Sequence, residues 1–158
     1  MSPAIAYAPQ QVDDVIVDSQ LLGPLTVSEN EIFFFPSGLF GLPECRSFVM
    51  LPAERPGFYW LQSVEHSALA FMLVDPFLFF EGYAVDLGFS ERADLVVENA
   101  DDAAVLAIVT LPRSASEPAT VNLQGPIALN LNARRGKQLV LQDNEYGVRC
   151  PLDLSKAG

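Results

Sequence analysis

Proline and glycine interrupt the apolar segments of this chain at short intervals. The run SFVML ends at Pro52, ALAFMLV ends before Asp75-Pro76, and AAVLAIVTL ends at Pro112. Each run has the length and the content of β-branched or aromatic residues that are typical of a strand, and proline prevents the runs from joining into long helices. A chain divided in this way is expected to form many short strands and little helix.

These signals predict a mainly β protein: a single small antiparallel β-barrel-like domain, closed or nearly closed, with a sandwich as the alternative. A length of 158 residues suits one domain with its own core. We expect that domain over residues 12–158, after a flexible extension over residues 1–11. One or two short helices are expected, in SERADLVVENAD with Ser90 as its cap and as a turn at residues 76–80.

The last third of the chain has the clearest strand pattern. In PIALNLN, the residues Ile127, Leu129 and Leu131 share one face by a period of two, and KQLVLQ predicts the next strand. The linking segment ARRG suits a hairpin loop in which Gly136 takes a positive φ. The segment GYAVDL, residues 82–87, is also predicted to be a strand.

The charge of the chain narrows the class of partner. Acidic residues outnumber basic residues by 20 to 9, which gives a formal net charge of −11. Phosphate backbones are bound through Lys and Arg, so direct nucleic-acid binding is disfavoured. The acidic surface either serves solubility alone or steers a basic protein partner toward the chain.

Cysteine content and hydropathy indicate the compartment. Two cysteines, Cys45 and Cys150, are too few for a disulfide framework in a chain of this length. The start MSPAIAYAPQQVDD lacks the features of a signal peptide, and the longest apolar runs have seven residues, too few to cross a bilayer. We expect a cytoplasmic protein with reduced thiols and no membrane contact.

The sequence offers little from which to assemble a catalytic or metal site. His66 is the only histidine, it has no cysteine near it in sequence, and it is predicted to lie in a surface loop. Neither a Gly-x-Ser-x-Gly elbow nor a glycine-rich phosphate loop occurs. We expect no catalytic residue, no cofactor and no metal.

Aromatic residues indicate a surface for protein binding. Eleven phenylalanines occur, many of them in IFFFP and PFLFFEGY. In a strand, Phe34 faces away from its two phenylalanine neighbours, and a barrel wall has only one dry face. The outer rings are either covered by loops or available to a partner helix. Because they combine apolar rings with nearby charge, the candidate partner-binding residues are Phe34, Phe79, Phe80 and Glu81.

Polar amides stand among apolar residues in TVNLQGPIALNLN. Asn122, Gln124 and Asn130 lie on either side of Pro126, which has no N–H to donate to a strand ladder. Amide side chains can satisfy the carbonyls that such a break leaves free. We therefore predict a structural role for these residues, with direct partner contact as the alternative.

Several segments together resemble one bacterial family. They are FPSGLFGLP at 35–43, FYWLQS at 58–63, LAFMLVDP at 69–76, TVNLQGPIALN at 120–130 and GKQLVL at 136–141, with Tyr83 and Tyr146. In this order, from about residue 12 to residue 152, the chain resembles the flagellar assembly factor FliW. We predict a structural role for Trp60 and Gln62, which both lie within FYWLQS, and we expect Trp60 to contribute to the core.

The resemblance implies a small β-barrel-like fold, no catalysis and two protein partners. One implied partner is flagellin, held before export. The other is the RNA-binding regulator CsrA, whose repression of flagellin translation the protein would relieve. The alternatives are a flagellin export chaperone without a regulatory partner, and a β-barrel that binds a small molecule.

Overall fold

The computed structural model describes residues 13–142 and 146–155, so the predicted extension at 1–11 lies outside the described residues. The strands are β1 Asp14–Val17, β2 Leu25–Ser28, β3 Phe33–Phe34, β4 Ser47–Pro52, β5 Phe58–Ser63, β6 Ala70–Val74, β7 Ala104–Thr110, β8 Thr120–Val121, β9 Ile127–Asn130, β10 Arg135–Gln138 and β11 Cys150–Pro151. Helix α1 spans Phe89–Leu95, and 3-10 helices lie at Glu29–Glu31, Pro76–Leu78 and Ala100–Asp102. Across these described ranges, the helices are all too short or too polar to cross a bilayer.

Strand pairing closes the main sheet into a barrel. The sheet order is β11-β8-β7-β6-β5-β4-β3-β10-β9, and β9 also pairs with β7, so that seven strands form a closed ring. The predicted mainly β, barrel-like fold is confirmed. One pairing departs from the predicted antiparallel pattern: β10 runs parallel to β3, with Arg135 opposite Phe34.

Apolar side chains fill the barrel interior. Because side chains alternate across a strand, each wall strand sends every second residue inward. Fully buried examples from four strands are Phe48, Leu61, Leu73 and Ile127. The space inside the barrel is therefore occupied by the protein's own core.

The turn between β9 and β10 differs from the prediction. It occupies residues 131–134, and the residue in the left-handed region is Arg134, with φ 55°. Gly136 lies within β10, where a Cβ would stand 2.3 Å from the ring of Phe35. The glycine is thus required by the close approach of an aromatic ring and not by a turn. Leu131, predicted to share a strand face with Ile127 and Leu129, is instead 46% exposed in the turn.

Helix α1 covers the outer face of β9. Leu95 packs there against Ala128 and Leu139, and all three side chains are buried. The predicted cap at Ser90 is wrong, because the N-cap is Gly88, two residues earlier, and Ser90 lies inside the first turn of the helix. Its end is set by Val96, whose φ of 59° stops the helix well before the predicted residue 101.

A second outer layer covers β6 and β7. The 3-10 helix Pro76–Leu78 agrees with the predicted turn at 76–80. The predicted strand at 82–87 does not form, because this segment pairs with none of the strands in the described part of the chain. It instead lays Tyr83 over a cluster that contains Val74 and Val121.

Candidate partner-binding surfaces

An open apolar groove lies on the outer face of β5, β6 and β7. Its floor is a row of directly opposed residues, in which Trp60 faces Met72 and Met72 faces Val109. The groove has a volume of about 420 Å³. Its lining is Ala53, Glu54, Arg55, Phe58, Trp60, Met72, Val109, Leu111, Ala119, Leu152 and Leu154, and we call this set the apolar groove.

One charged side chain fixes a wall of the apolar groove. The guanidinium of Arg55 donates a hydrogen bond of 2.7 Å to the carbonyl of Leu154 and lies 5.9 Å from the ring centre of Phe58. The C-terminal segment is thereby held beside the β4–β5 turn. Of the eleven lining residues only Glu54 and Arg55 carry charge, so the groove suits an apolar occupant with polar ends.

Trp60 lies in this groove and not in the core. Its side chain is half-buried, and its neighbours Tyr59 and Leu61 are the residues of β5 that face the barrel interior. The expectation that Trp60 contributes to the core is therefore wrong, because the alternation of β5 sends it outward. It is also the only tryptophan of the chain.

A cleft of about 480 Å³ lies beside the 3-10 helix Pro76–Leu78, and we call it the aromatic cleft. Its lining is Phe79, Phe80, Glu81, Gly82, Tyr83, Leu123 and Tyr146. Tyr83 and Tyr146 stack edge to face at 4.7 Å, and the Tyr83 hydroxyl donates a 2.7 Å hydrogen bond to the carbonyl of Leu123. Burial, followed by the nearby Tyr146 and Cys150, raises the pKa of Tyr83 well above its ordinary value.

The four predicted partner-binding residues do not share one surface. Phe79 is 3% exposed and packs edge to face on Phe58 at 5.6 Å, so it is a core residue. Phe80 is half-buried and Glu81 is exposed at the aromatic cleft. Phe34 lies on β3 instead, 41% exposed, with the Arg135 guanidinium 5.4 Å from its ring centre.

The amides near Pro126 bind the backbone. Asn122 accepts a 2.8 Å hydrogen bond from the N–H of Gly125, and Gln138 donates one of 3.0 Å to the carbonyl of Gly125. Gln124 contributes to this hydrogen bonding through its main chain, because its carbonyl accepts a hydrogen bond from the N–H of Leu141. Gln138 was not singled out in the sequence, where nothing links it to a segment thirteen residues earlier.

Asn130 binds a different part of the molecule. Its amide nitrogen donates to the carbonyls of Leu95 and Val96 at 2.9 and 3.1 Å, at the end of α1. Its amide oxygen accepts the N–H groups of Asn132 and Ala133, both at 3.0 Å. The side chain therefore joins the β9–β10 turn to the helix.

Gln62 is fully buried under the loop that follows β5. Its amide nitrogen donates to the carbonyls of Ser63, His66 and Ser67 at 3.0 to 3.4 Å. Gln62, Asn122 and Asn130 thus satisfy three separate stretches of backbone. They do not gather around the polar cavity that a small-molecule site would need.

Comparison with known proteins shows which family the chain is similar to. A profile of the family described as "FliW protein" matches residues 16–152. The chain is 36% identical over 137 residues to the flagellar assembly factor FliW of Natranaerobius thermophilus, covering 86% of this chain and 91% of the relative. It is 41% identical over 131 residues to that of Moorella thermoacetica, covering 82% of this chain and 83% of the relative.

The chain belongs to the FliW family. A solved structure, described as the crystal structure of the flagellar assembly factor FliW, matches this FliW-family chain with a TM-score of 0.80 at 32% identity. The match covers 87% of this chain and 96% of the other. The resemblance drawn from the sequence motifs is therefore confirmed, along with the barrel that it implied.

Proposed function

We propose that this chain is a flagellar assembly factor that acts in the cytoplasm by binding proteins and catalyses no reaction. It holds flagellin before export, and it binds a CsrA-type regulator and so relieves repression of flagellin translation. Newly made flagellin then withdraws the factor from the regulator, which couples flagellin level to flagellin synthesis. The proposal is supported by the names of its FliW relatives, which are called flagellar assembly factors.

The observation that carries the proposal is the apolar groove. A protein with a formal charge of −11 keeps an outer sheet face on which Trp60, Met72 and Leu111 line a cavity open to solvent. Exposed apolar patches of this kind mark protein-binding sites, and an amphipathic helix binds such a groove through its apolar face. We assign the groove to a terminal helix of flagellin.

The regulator is assigned by charge. An RNA-binding protein presents Lys and Arg to phosphates, so its surface complements an acidic chain. The aromatic cleft offers Glu81 at its rim beside the half-buried ring of Phe80. We assign this second surface to the regulator, so the two partners occupy separate faces.

The fluorescence of Trp60 gives a direct test of the flagellin site. Because this residue is the only tryptophan of the chain, its emission reports on occupancy of the groove. Purified flagellin monomer is titrated into the protein, with the flagellin signal subtracted. We expect a saturable change in Trp60 emission and a 1:1 complex by size-exclusion chromatography.

Two leucine variants provide a matched comparison. Leu111→Glu places a charge in the groove, whereas Leu131→Glu changes a leucine of similar exposure in the β9–β10 turn; the exposures are 55% and 46%. We expect the first variant to weaken flagellin binding by at least about tenfold and the second to leave it unchanged. Equal affinities for both variants would remove the groove from the proposal.

The regulator site is tested by co-purification. Phe80→Ala and Glu81→Lys should reduce recovery of the RNA-binding regulator while flagellin is still retained. Recovery of flagellin alone by the unaltered protein would favour an export chaperone without a regulatory partner.

A further inference from the structure

The register of β4 and β5 brings together two residues that are distant in sequence. Phe48 faces Ser63 at the last ladder position, and the N–H of Val64 bonds the carbonyl of Ser47 at 2.9 Å beyond it. Continuing this register for two further steps places Cys45 opposite His66. The segment before β4 and the loop after β5 therefore meet at one end of the strand pair.

Three potential metal ligands converge at this end. A carboxylate oxygen of Glu44, the Sγ of Cys45 and a ring nitrogen of His66 all lie within 4.8 Å of one another. Cys45 is fully buried, whereas Glu44 and His66 are exposed. An ion bound here would be held by protein on its inner side and would remain open to solvent on its outer side.

Hydrogen bonds hold the two ligand loops in place. The Ser63 hydroxyl accepts the N–H of His66 at 3.0 Å. The carbonyl of His66 accepts the N–H of Leu69 at 3.0 Å, and the N–H of Cys45 bonds the carbonyl of Leu42 at 3.1 Å. A buried serine thus fixes the backbone of the His66 loop, as outer-shell partners fix ligands in metal sites.

The neighbouring carboxylate is already engaged. Both oxygens of Glu65 accept backbone N–H groups, from Arg46 at 3.1 Å and from Ser47 at 3.1 and 3.2 Å. This bond fixes the start of β4 next to the cluster. The ligand set is therefore formed by Glu44, Cys45 and His66, without Glu65.

We propose that Glu44, Cys45 and His66 form a binding site for a zinc ion. Sulfur, imidazole nitrogen and carboxylate oxygen are the three donor types that Zn²⁺ takes in proteins, and three of them leave a fourth position for water. One thiolate and one carboxylate carry the two negative charges that balance the ion. On binding, a Zn–S bond replaces the S–H bond of Cys45, and the proton passes to solvent.

The ion would act as a clamp between the two loops. The cluster lies where β4 begins and β5 ends, at a part of the barrel otherwise joined by backbone hydrogen bonds. A ligand that binds only the folded state raises the melting temperature in proportion to the logarithm of its concentration. Metal binding would therefore stabilise this end of the barrel.

The site is tested on the full-length chain without an affinity tag, after removal of metal by a chelator. Zinc binding is measured by isothermal titration calorimetry, and Co²⁺ is used as a spectroscopic probe. We expect one ion per chain, a near-ultraviolet thiolate-to-cobalt absorption band and a rise in melting temperature. Because His66 is the only histidine, its ring signals in NMR spectra should shift as zinc is added.

Three variants locate the ligands. Cys45→Ser should abolish the thiolate-to-cobalt band, and Cys150→Ser is the matched control, since it removes the chain's other cysteine and should leave the band intact. His66→Ala changes an exposed residue and so tests the site without disturbing the core. It should weaken zinc binding at least about tenfold, while Ser63→Ala should weaken it by about tenfold by releasing the backbone of the His66 loop.

Two results would overturn the proposal. One is a Co²⁺ complex without the thiolate band, which would place the ion on surface carboxylates alone. The other is a His66→Ala variant that keeps its fold by circular dichroism and still binds zinc with unchanged affinity.

Discussion

Asn130 shows how a side chain that resembles a site residue in the sequence can instead support the fold. Its amide makes four hydrogen bonds to backbone groups of α1 and of the β9–β10 turn. Asn130→Asp keeps the acceptor but loses both donors, and it places a carboxylate against the carbonyls at the end of a helix. We expect a loss of about 3 kcal/mol in the free energy of unfolding, measured by urea denaturation.

Asn132→Asp is the control for this substitution. Asn132 is exposed, and its backbone N–H donates a hydrogen bond to the side chain of Asn130 that the substitution does not remove, so the same change there should alter stability by less than about 0.5 kcal/mol. Similar losses in the two variants would mean that the carboxylate acts through general charge and not through the lost hydrogen bonds.

Tyr83 gives the fold a dependence on alkaline pH. Its raised pKa in the folded protein means that the folded state holds the phenol proton more tightly than the unfolded state, whose pKa is about 10. The resulting stability is fully present below that unfolded pKa and falls as the pH rises above it. Tyr83→Phe should cost about 1–2 kcal/mol at pH 7, through the lost bond to Leu123, and should reduce this alkaline fall.

Urea denaturation at a series of pH values between neutral and strongly alkaline measures both the loss of stability at pH 7 and the fall in stability at alkaline pH. An alkaline fall that is as steep in Tyr83→Phe as in the unaltered protein would show that another group is responsible.

Single residues also mark where prediction from sequence stops. The alternation of FYWLQS was visible, but the direction of Trp60 depends on which face of β5 turns toward the barrel. That choice is made by the strands that pair with β5, which are not local information. Cys45 and His66 likewise have no sequence signal, because only the β4–β5 register brings them together.

At the scale of elements, the end of α1 contains backbone strain. Val96 has φ 59° and ψ 42°, a conformation that costs a β-branched residue about 1–2 kcal/mol. Its side chain is 61% exposed, so little packing is lost if it is removed. Val96→Gly should therefore raise stability by about 0.5–1 kcal/mol, after the entropic cost of glycine.

Val140→Gly is the matched control for the helix end. Val140 is 57% exposed and its φ lies outside the left-handed region, so glycine there should only lower stability. Differential scanning calorimetry should show a melting temperature that rises for Val96→Gly and falls for Val140→Gly. A fall in both would show that the valine at the helix end is not strained.

The strands that were predicted well are those that pair with a strand adjacent to them in the sequence. The strands β4, β5, β6 and β7 follow the expected apolar runs, because an antiparallel neighbour lies next to each of them in the sheet. The segment at 82–87 has the same kind of alternation but finds no edge to join. The segment instead lies over the outer cluster that contains Val74 and Val121, and it packs Tyr83 against that cluster.

At the scale of the whole molecule, barrel closure depends on contacts that no local pattern encodes. The seam between β7 and β9 and the parallel pair of β3 with β10 join segments more than twenty residues apart. The apolar groove has the same origin, since its walls come from the β4–β5 turn, from β7 and from the C-terminal segment. The sequence predicted partner-binding residues at three phenylalanines, of which Phe79 packs inside while Phe34 and Phe80 lie on different surfaces.

The net charge of −11 should govern how fast the chain meets the regulator that we propose as its partner. Long-range attraction raises association rates between oppositely charged proteins, and salt screens it over about 8–10 Å at physiological ionic strength. Stopped-flow association with the CsrA-type regulator should therefore slow by about tenfold between low and high salt, while dissociation changes little.

Glu81→Gln should reduce this salt dependence, because the residue lies at the aromatic cleft assigned to the regulator, whereas Glu54→Gln in the apolar groove should change it less. Association rates that stay flat across the salt series would mean that the acidic surface serves solubility alone, and an equal effect of the two variants would remove the regulator from the aromatic cleft.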